Sequence, residues 1–171
     1  MLRPFDGLVL AALVAATGAA AVIDLRTGRI PNPLTAAIAA AGLGLTAFGL
    51  TGHSMTGALL GAVIGFGLRL PGHVLGGTGA GDVKLVAALG TWLGPAGILM
   101  AFLYSAIAGG LLAVGHALAR RRLGSTLSRT ARLVATSAGT KAEIDAATAG
   151  NRFCYGPAIA AGTLAVLLFS R

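Results

Sequence analysis

Polar and apolar residues in this chain separate into long blocks instead of alternating. Six apolar stretches run from about Gly7 to Ile23, Pro33 to Gly52, Met55 to Leu70, Leu85 to Leu93, Pro95 to Leu118 and Tyr155 to Phe169. An unbroken apolar run of about 18 residues suits a helix crossing a bilayer, whereas a half-buried strand alternates with period two. The pattern predicts an all-α membrane protein. No charge separates the fourth and fifth stretches, yet residues 85–118 as one helix would far exceed the ~30 Å hydrocarbon layer at ~1.5 Å per residue. Gly94-Pro95 supplies a break, since proline lacks a donor and restricts the residue before it. Two helices are expected there, the fourth unusually short and starting near Asp82. A short helix at membrane depth has to be shielded by its neighbours, or the bilayer has to thin around it.

Composition agrees with the pattern. Only 11% of the 171 residues are charged and 56% are hydrophobic, against about a quarter charged in soluble domains. The net charge of +8 is concentrated: of 13 basic residues, Arg120, Arg121, Arg122, Arg129, Arg132, Lys141 and Arg152 share one polar stretch. With six spans and the N-terminus outside, the cytoplasmic side receives that stretch together with Arg26, Arg29, Arg69 and Lys84. Merging spans four and five would put the basic stretch outside, against the positive-inside rule. The expected architecture is therefore one integral-membrane domain over residues 1–171, with about six transmembrane helices and a basic cytoplasmic loop at about 120–152. Such a loop meets anionic lipid headgroups. It lacks the interleaved aromatics of a nucleic-acid surface, so no nucleic-acid partner is expected. The first span lacks a small-residue cleavage site and reads as retained. Cys154, the single cysteine, excludes an internal disulfide and a tetracysteine zinc site. His53, His73 and His116 are scattered without ligand spacing, and neither metal nor cofactor is expected.

Glycine is abundant, with 27 residues, and Gly57, Gly61 and Gly65 fall four apart on the third span. That spacing puts them on one helix face and lets another helix approach closely. The partner on that face is either a neighbouring helix of the same chain or a second copy in a homo-oligomer.

Chemistry has few places to reside. The acidic residues are Asp6, Asp24, Asp82, Glu143 and Asp145. Glu143 and Asp145 lie in the polar loop, and Asp6 flanks the outer end of the first span. Asp24 closes the first apolar span and Asp82 opens the fourth, both at the cytoplasmic boundary in the six-span arrangement. Taken singly, Asp24 could be an interfacial flank and Asp82 a helix N-cap. Together they are the minimum equipment for aspartic proteolysis, because ionisable groups near membrane depth are costly and two close carboxyls share a proton. Around them, glycines 76, 77, 79 and 81 open backbone angles closed to other residues, so that this segment can bend tightly and approach another chain. Pro31-Asn32-Pro33 reads as an Asn32 N-cap with proline at the first helical position. Lys84, within a turn of Asp82, either favours its charged form or is a plain positive-inside anchor.

These local sequences resemble those of type IV prepilin peptidases, the membrane aspartyl proteases with a Gly-x-Gly-Asp motif. Asp24-Leu25-Arg26-Thr27-Gly28-Arg29-Ile30-Pro31-Asn32 is similar to the first-aspartate motif, and Gly79-Ala80-Gly81-Asp82-Val83-Lys84-Leu85 to the second. Gly90-Thr91-Trp92-Leu93-Gly94 resembles the family's continuation. Tyr155-Gly156-Pro157-Ala158-Ile159-Ala160 resembles its final-span motif, with Cys154 where proline is usual. The resemblance implies a bacterial inner-membrane, multi-pass endopeptidase with Asp24 and Asp82 catalytic and Gly79, Gly81, Lys84, Pro31 and Asn32 supporting. The implied substrate is a prepilin, with a short basic leader and a hydrophobic helix, cut at the cytoplasmic boundary. With one cysteine and no cysteine-rich insert, the chain looks like the short peptidase-only form of tight-adherence (Flp-type) pilus systems, without methyltransferase activity. The rival reading is a small transporter or channel using Asp24 and Asp82 as a proton or cation relay.

Overall fold

Apolar segments that satisfy every backbone polar group internally fold as helices. The computed structural model of the protein describes residues 7–74, 78–119 and 155–169. It forms α1 (Gly7–Thr27), α2 (Asn32–Ala47), α3 (Met55–Val74), α4 (Ala80–Ala119) and α5 (Gly156–Phe169), with no strand among the described residues. The basic loop, Asp6, Glu143, Asp145, Gly76, Gly77 and Cys154 lie outside the described residues. Among the described residues, three segments are long and apolar enough to cross a membrane: Val9–Thr27, Met55–Val74 and Ala80–Leu112.

The element bounds depart from the apolar blocks at both aspartates. α1 runs four residues past Ile23, so Asp24 belongs to its last turn. The second apolar block extends to Gly52, but α2 stops at Ala47, where Gly49 and Gly52 take left-handed φ of 72° and 76°. Side chains other than glycine rarely adopt that backbone. α3 continues through Pro71 to Val74.

The break expected at Gly94-Pro95 is present. Gly94 has φ 66° and ψ −175° inside α4, a non-helical conformation between two helical limbs, residues 80–93 and 95–119. The contacts along α3 show that the chain reverses there. A Cβ on Gly61 would overlap Gly90 and meet Gly94, and one on Gly65 would meet Val86 and Ile98. One turn further on, Arg69 lies beside Val86 and Phe102. Moving down α3 thus matches falling residue numbers on the first limb and rising numbers on the second.

α4 is the hub. α2, α3 and α5 all pack against it, while α1 joins the bundle mainly through α5. Two thirds of the α4 span window is buried (67%), against 22% for α3, whose Leu59, Leu60, Val63 and Phe66 face outward. Such an outward apolar surface suits lipid. Trp92, Leu85, Leu89, Leu93 and Ile98 of α4 are buried in one apolar core with Ile38, Ile159 and Leu13. Trp92 Nε1 donates to the Ile38 carbonyl at 2.7 Å, tying α2 to the hub. At the Gly94 end, the His53 ring nitrogens lie 3.1 Å from the Thr51 carbonyl oxygen and 3.2 Å from that of Thr91.

Gly61 and Gly65 therefore serve contact within the chain, because α4 occupies their face. Gly57 does not share that role: a Cβ there would make only ordinary contact with His53 and Ser54, at 3.4 Å and beyond.

Candidate active site

Gly28 fixes the end of α1. It takes φ 63° and its N–H donates to the Asp24 carbonyl at 2.7 Å, the left-handed closure that glycine makes without strain. Asp24, 6% exposed, is held one turn earlier facing the bundle. Its Oδ2 accepts the Gly156 N–H at 2.8 Å, across 132 residues of sequence. A Cβ on Gly156 would stand 2.9 Å from both Cβ and Oδ2 of Asp24, so only glycine permits this approach. Gly156 opens α5, and the positive end of a helix suits a carboxylate.

Asp82 is the third residue of α4 and 8% exposed. Its Oδ2 accepts from the Gly79 N–H at 3.3 Å, while the Asp82 N–H donates to the Gly79 carbonyl at 3.1 Å. Asp82 is thus not the N-cap: it reaches back from the third helical position to the N–H of the capping residue, half of a capping box. Neither Gly79 nor Gly81 takes a left-handed φ, contrary to the reading of these glycines as backbone-angle devices. The close approach expected of these glycines is found at Gly81, where a Cβ would stand 3.0 Å from Ile30 Cβ.

That contact joins the two aspartate motifs. Ile30 is buried against Gly81, and two residues on, Asn32 Oδ1 accepts from Lys84 Nζ at 2.9 Å. Asn32 is accordingly not the cap of α2: the cap position is Pro31, and no side chain caps that helix. With proline at residue 33, the first turn has one N–H fewer to satisfy. Lys84, in turn, is engaged with Asn32. Among the described residues, Asp82 lies within electrostatic reach of both the Asp24 carboxylate and the Arg69 guanidinium.

Arg69 was counted from sequence only as a cytoplasmic flank. In the fold it is buried, 6% exposed. Its guanidinium carbon lies 4.3 Å from the Tyr155 ring centroid and 5.6 Å from that of Phe102, cation–π geometry on both. Its Nε is buried without a hydrogen-bond partner. Beside it lies a small, mainly apolar cavity bordered by Val86, Leu89, Ile98, Ser105, Ile159 and Thr163. A signal existed in the sequence: Arg69 continues the four-residue spacing of Gly61 and Gly65, which aims it at the same neighbour.

Four elements therefore converge at one end of the bundle. α1 brings Asp24, α3 brings Arg69, α4 brings Asp82, and the start of α5 touches both Asp24 and Arg69. The type IV leader peptidase family model matches residues 11–114, well over half the chain and both aspartate motifs. The chain belongs to the type IV leader peptidase family. The Tyr155-Gly156-Pro157 segment lies beyond the matched residues. Two curated relatives are the prepilin leader peptidase/N-methyltransferases of Burkholderia pseudomallei strains 1026b and K96243. Each is 38% identical over 113 residues, which cover 61% of this chain and 36% of the relative. The match thus spans little more than a third of the length of those relatives. No solved structure matches the chain.

Proposed function

We propose that the chain is a membrane aspartic endopeptidase that removes the leader of a prepilin, with Asp24 and Asp82 as its catalytic pair. The observation that carries this reading is the meeting of two carboxylates, 58 residues apart in sequence, at one end of an apolar bundle. The membership of the family supports it. In the proposed reaction one carboxylate is ionised and takes a proton from water as the water oxygen attacks the peptide carbonyl. The other is protonated and donates to the carbonyl oxygen. Reversal of these roles protonates the departing nitrogen, the C–N bond breaks, and a carboxylic acid and an amine are released.

The substrate end follows from the placement of charge. Arg26, Arg29 and Lys84 are exposed around the aspartate end, and we assign that end to the cytoplasmic face by the positive-inside rule. Six spans with the N-terminus outside, in the inner membrane, complete the topology. The α4 reversal supports this count by making two limbs of one 40-residue helix. The prepilin would be of the Flp type, cut where its leader meets its hydrophobic helix.

The test is co-expression with a candidate prepilin, followed by its mass. Loss of the leader by wild type, and its retention with Asp24→Asn or Asp82→Asn at matched membrane levels, is the expected result. An uncut prepilin, with Asp-dependent ion flux in sealed vesicles, would instead establish the relay reading.

A further inference from the structure

We propose that His53 is a proton-dependent latch at the end of the bundle opposite the aspartates, tightening the α4 reversal when its ring is doubly protonated. This role is independent of the peptidase reading.

The reversal itself creates the need for a donor there. A helix leaves its last carbonyls without N–H partners, and the first limb of α4 ends where Gly94 departs from helical backbone. The Thr91 carbonyl would take its bond from residue 95, which is proline and has no N–H. Thr46 Oγ1 comes only within 3.5 Å of that oxygen, and its shorter bond, at 2.8 Å, goes to the Gly42 carbonyl. His53 Nε2 reaches the Thr91 oxygen at 3.2 Å, while Nδ1 of the same ring lies 3.1 Å from the Thr51 carbonyl oxygen. Both partners are acceptors. A neutral imidazole has one N–H and turns a lone pair toward the other oxygen, whereas an imidazolium has two N–H groups. Only the protonated ring bonds to both carbonyls. Its charge then also sits at the C-terminal end of a helix, where a cation is favoured.

The turn that carries the ring is firmly built. Gly49 and Gly52 take left-handed backbone, and the N–H groups of Gly49 and Leu50 donate to the Thr46 and Leu45 carbonyls, each at 2.9 Å. The hydroxyls of Thr46 and Thr51, both buried, are 2.9 Å apart. The ring lies against Gly94, where a Cβ would meet His53 Cγ at 3.4 Å. His53 is half-buried, so protons reach it from solution. Among the described residues no other charged or titratable group faces it. α2 and α5 carry none. On α4 the nearest are Lys84 and Tyr104, ten residues to either side of Gly94, or about 15 Å along each limb. Arg69 and His73 of α3, and Asp24 and Arg26 of α1, belong to the aspartate end.

The test uses the full chain purified in detergent. Apparent melting temperatures of wild type and His53→Gln are followed by circular dichroism at about pH 5 and about pH 8, on either side of the ordinary histidine range near 6.5. The second bond is present on the acid side and lost as pH rises. Wild type should therefore exceed the variant by about 2–4 °C more on the acid side than on the alkaline side. An equal or smaller difference on the acid side would overturn the proposal. A second arm reads the ring directly in wild type, through its nitrogen-15 chemical shifts, with His73→Gln and His116→Gln used only to assign the signals. Both ring nitrogens should carry a proton on the acid side, and Nε2 alone on the alkaline side. A ring with one proton in acid, or a neutral ring protonated on Nδ1, would overturn the proposal. Should His53→Gln fail to accumulate, this second arm decides.

Discussion

At the scale of single residues, the two aspartates are set by contacts that tolerate little change. Asp24→Asn or Asp82→Asn preserves size but cannot exchange the shared proton, so each should reduce prepilin cleavage by about 10²-fold or more in membranes. Near-normal cleavage by either variant would remove that residue from the mechanism. Gly156→Ala is a subtler probe. Its methyl would press on Asp24 at 2.9 Å, so the carboxylate must shift and lose its N–H donor. Cleavage should fall severalfold while thermal stability drops by roughly 1–3 kcal/mol, the range for overpacking. An unchanged turnover rate would mean that α5 has no part in orienting Asp24. Asn32 and Lys84 are exposed, and Lys84→Met should cost under about 1 kcal/mol of stability, as exposed polar pairs do.

At the scale of helices, close backbone approach decides the packing. Gly61 and Gly90 face each other with no room for a Cβ on either. Gly61→Val should therefore separate α3 from α4 and prevent accumulation of folded protein or lower its melting temperature sharply. Gly67→Ala, on the same helix with open space around it, should be close to neutral. Similar stability of the two variants in detergent would contradict the packing described here. Trp92→Phe tests the α2 contact: it keeps most of the apolar area but removes the indole N–H that donates to the Ile38 carbonyl, a loss of about 0.5–1.5 kcal/mol.

For the whole molecule, the reversal at Gly94 is the feature with the widest consequence. It sets which side of the membrane receives everything after it. In a Cys154→Ser background, cysteines at positions 28, 78 and 126 should label from the cytoplasm, and those at 3 and 52 from outside. Outside labelling at 126 would overturn the six-span count. Purified protein in detergent should cleave prepilin without an ion gradient and in the presence of chelator, since in the proposed mechanism the carboxyl pair would supply both proton-transfer groups. Activity should fall when pH is taken far in either direction, because the reaction needs one carboxyl ionised and one protonated. Cleavage abolished by chelator and restored by zinc would sink the aspartic mechanism.

The division between sequence and structure follows the range of the interactions. Helices, their apolar character and the Gly94-Pro95 break were legible in the chain, because hydropathy and proline act over a few residues. So were Asp24 and Asp82, since a carboxylate at the edge of an apolar run stands out against so little other charge. The ends of α1 and α2 were not, because α1 runs on past its apolar stretch to the left-handed Gly28, and α2 stops before its apolar stretch does, at the turn of the left-handed Gly49. What fills each glycine face was equally hidden. Gly61 and Gly65 are covered by α4, Gly57 is not, and Gly81 meets Ile30. The sequence placed Asn32 as a cap and Lys84 beside Asp82, and the fold instead pairs them with each other. Arg69 was the largest omission. Its charge looked like a membrane flank, and only the reversal of α4 and the arrival of Tyr155 from the far end of the chain bury it among aromatic rings. Local chemistry chose the elements and the carboxylates. Which groups share their low-dielectric surroundings depended on contacts between residues dozens of positions apart, and only the tertiary structure decides those.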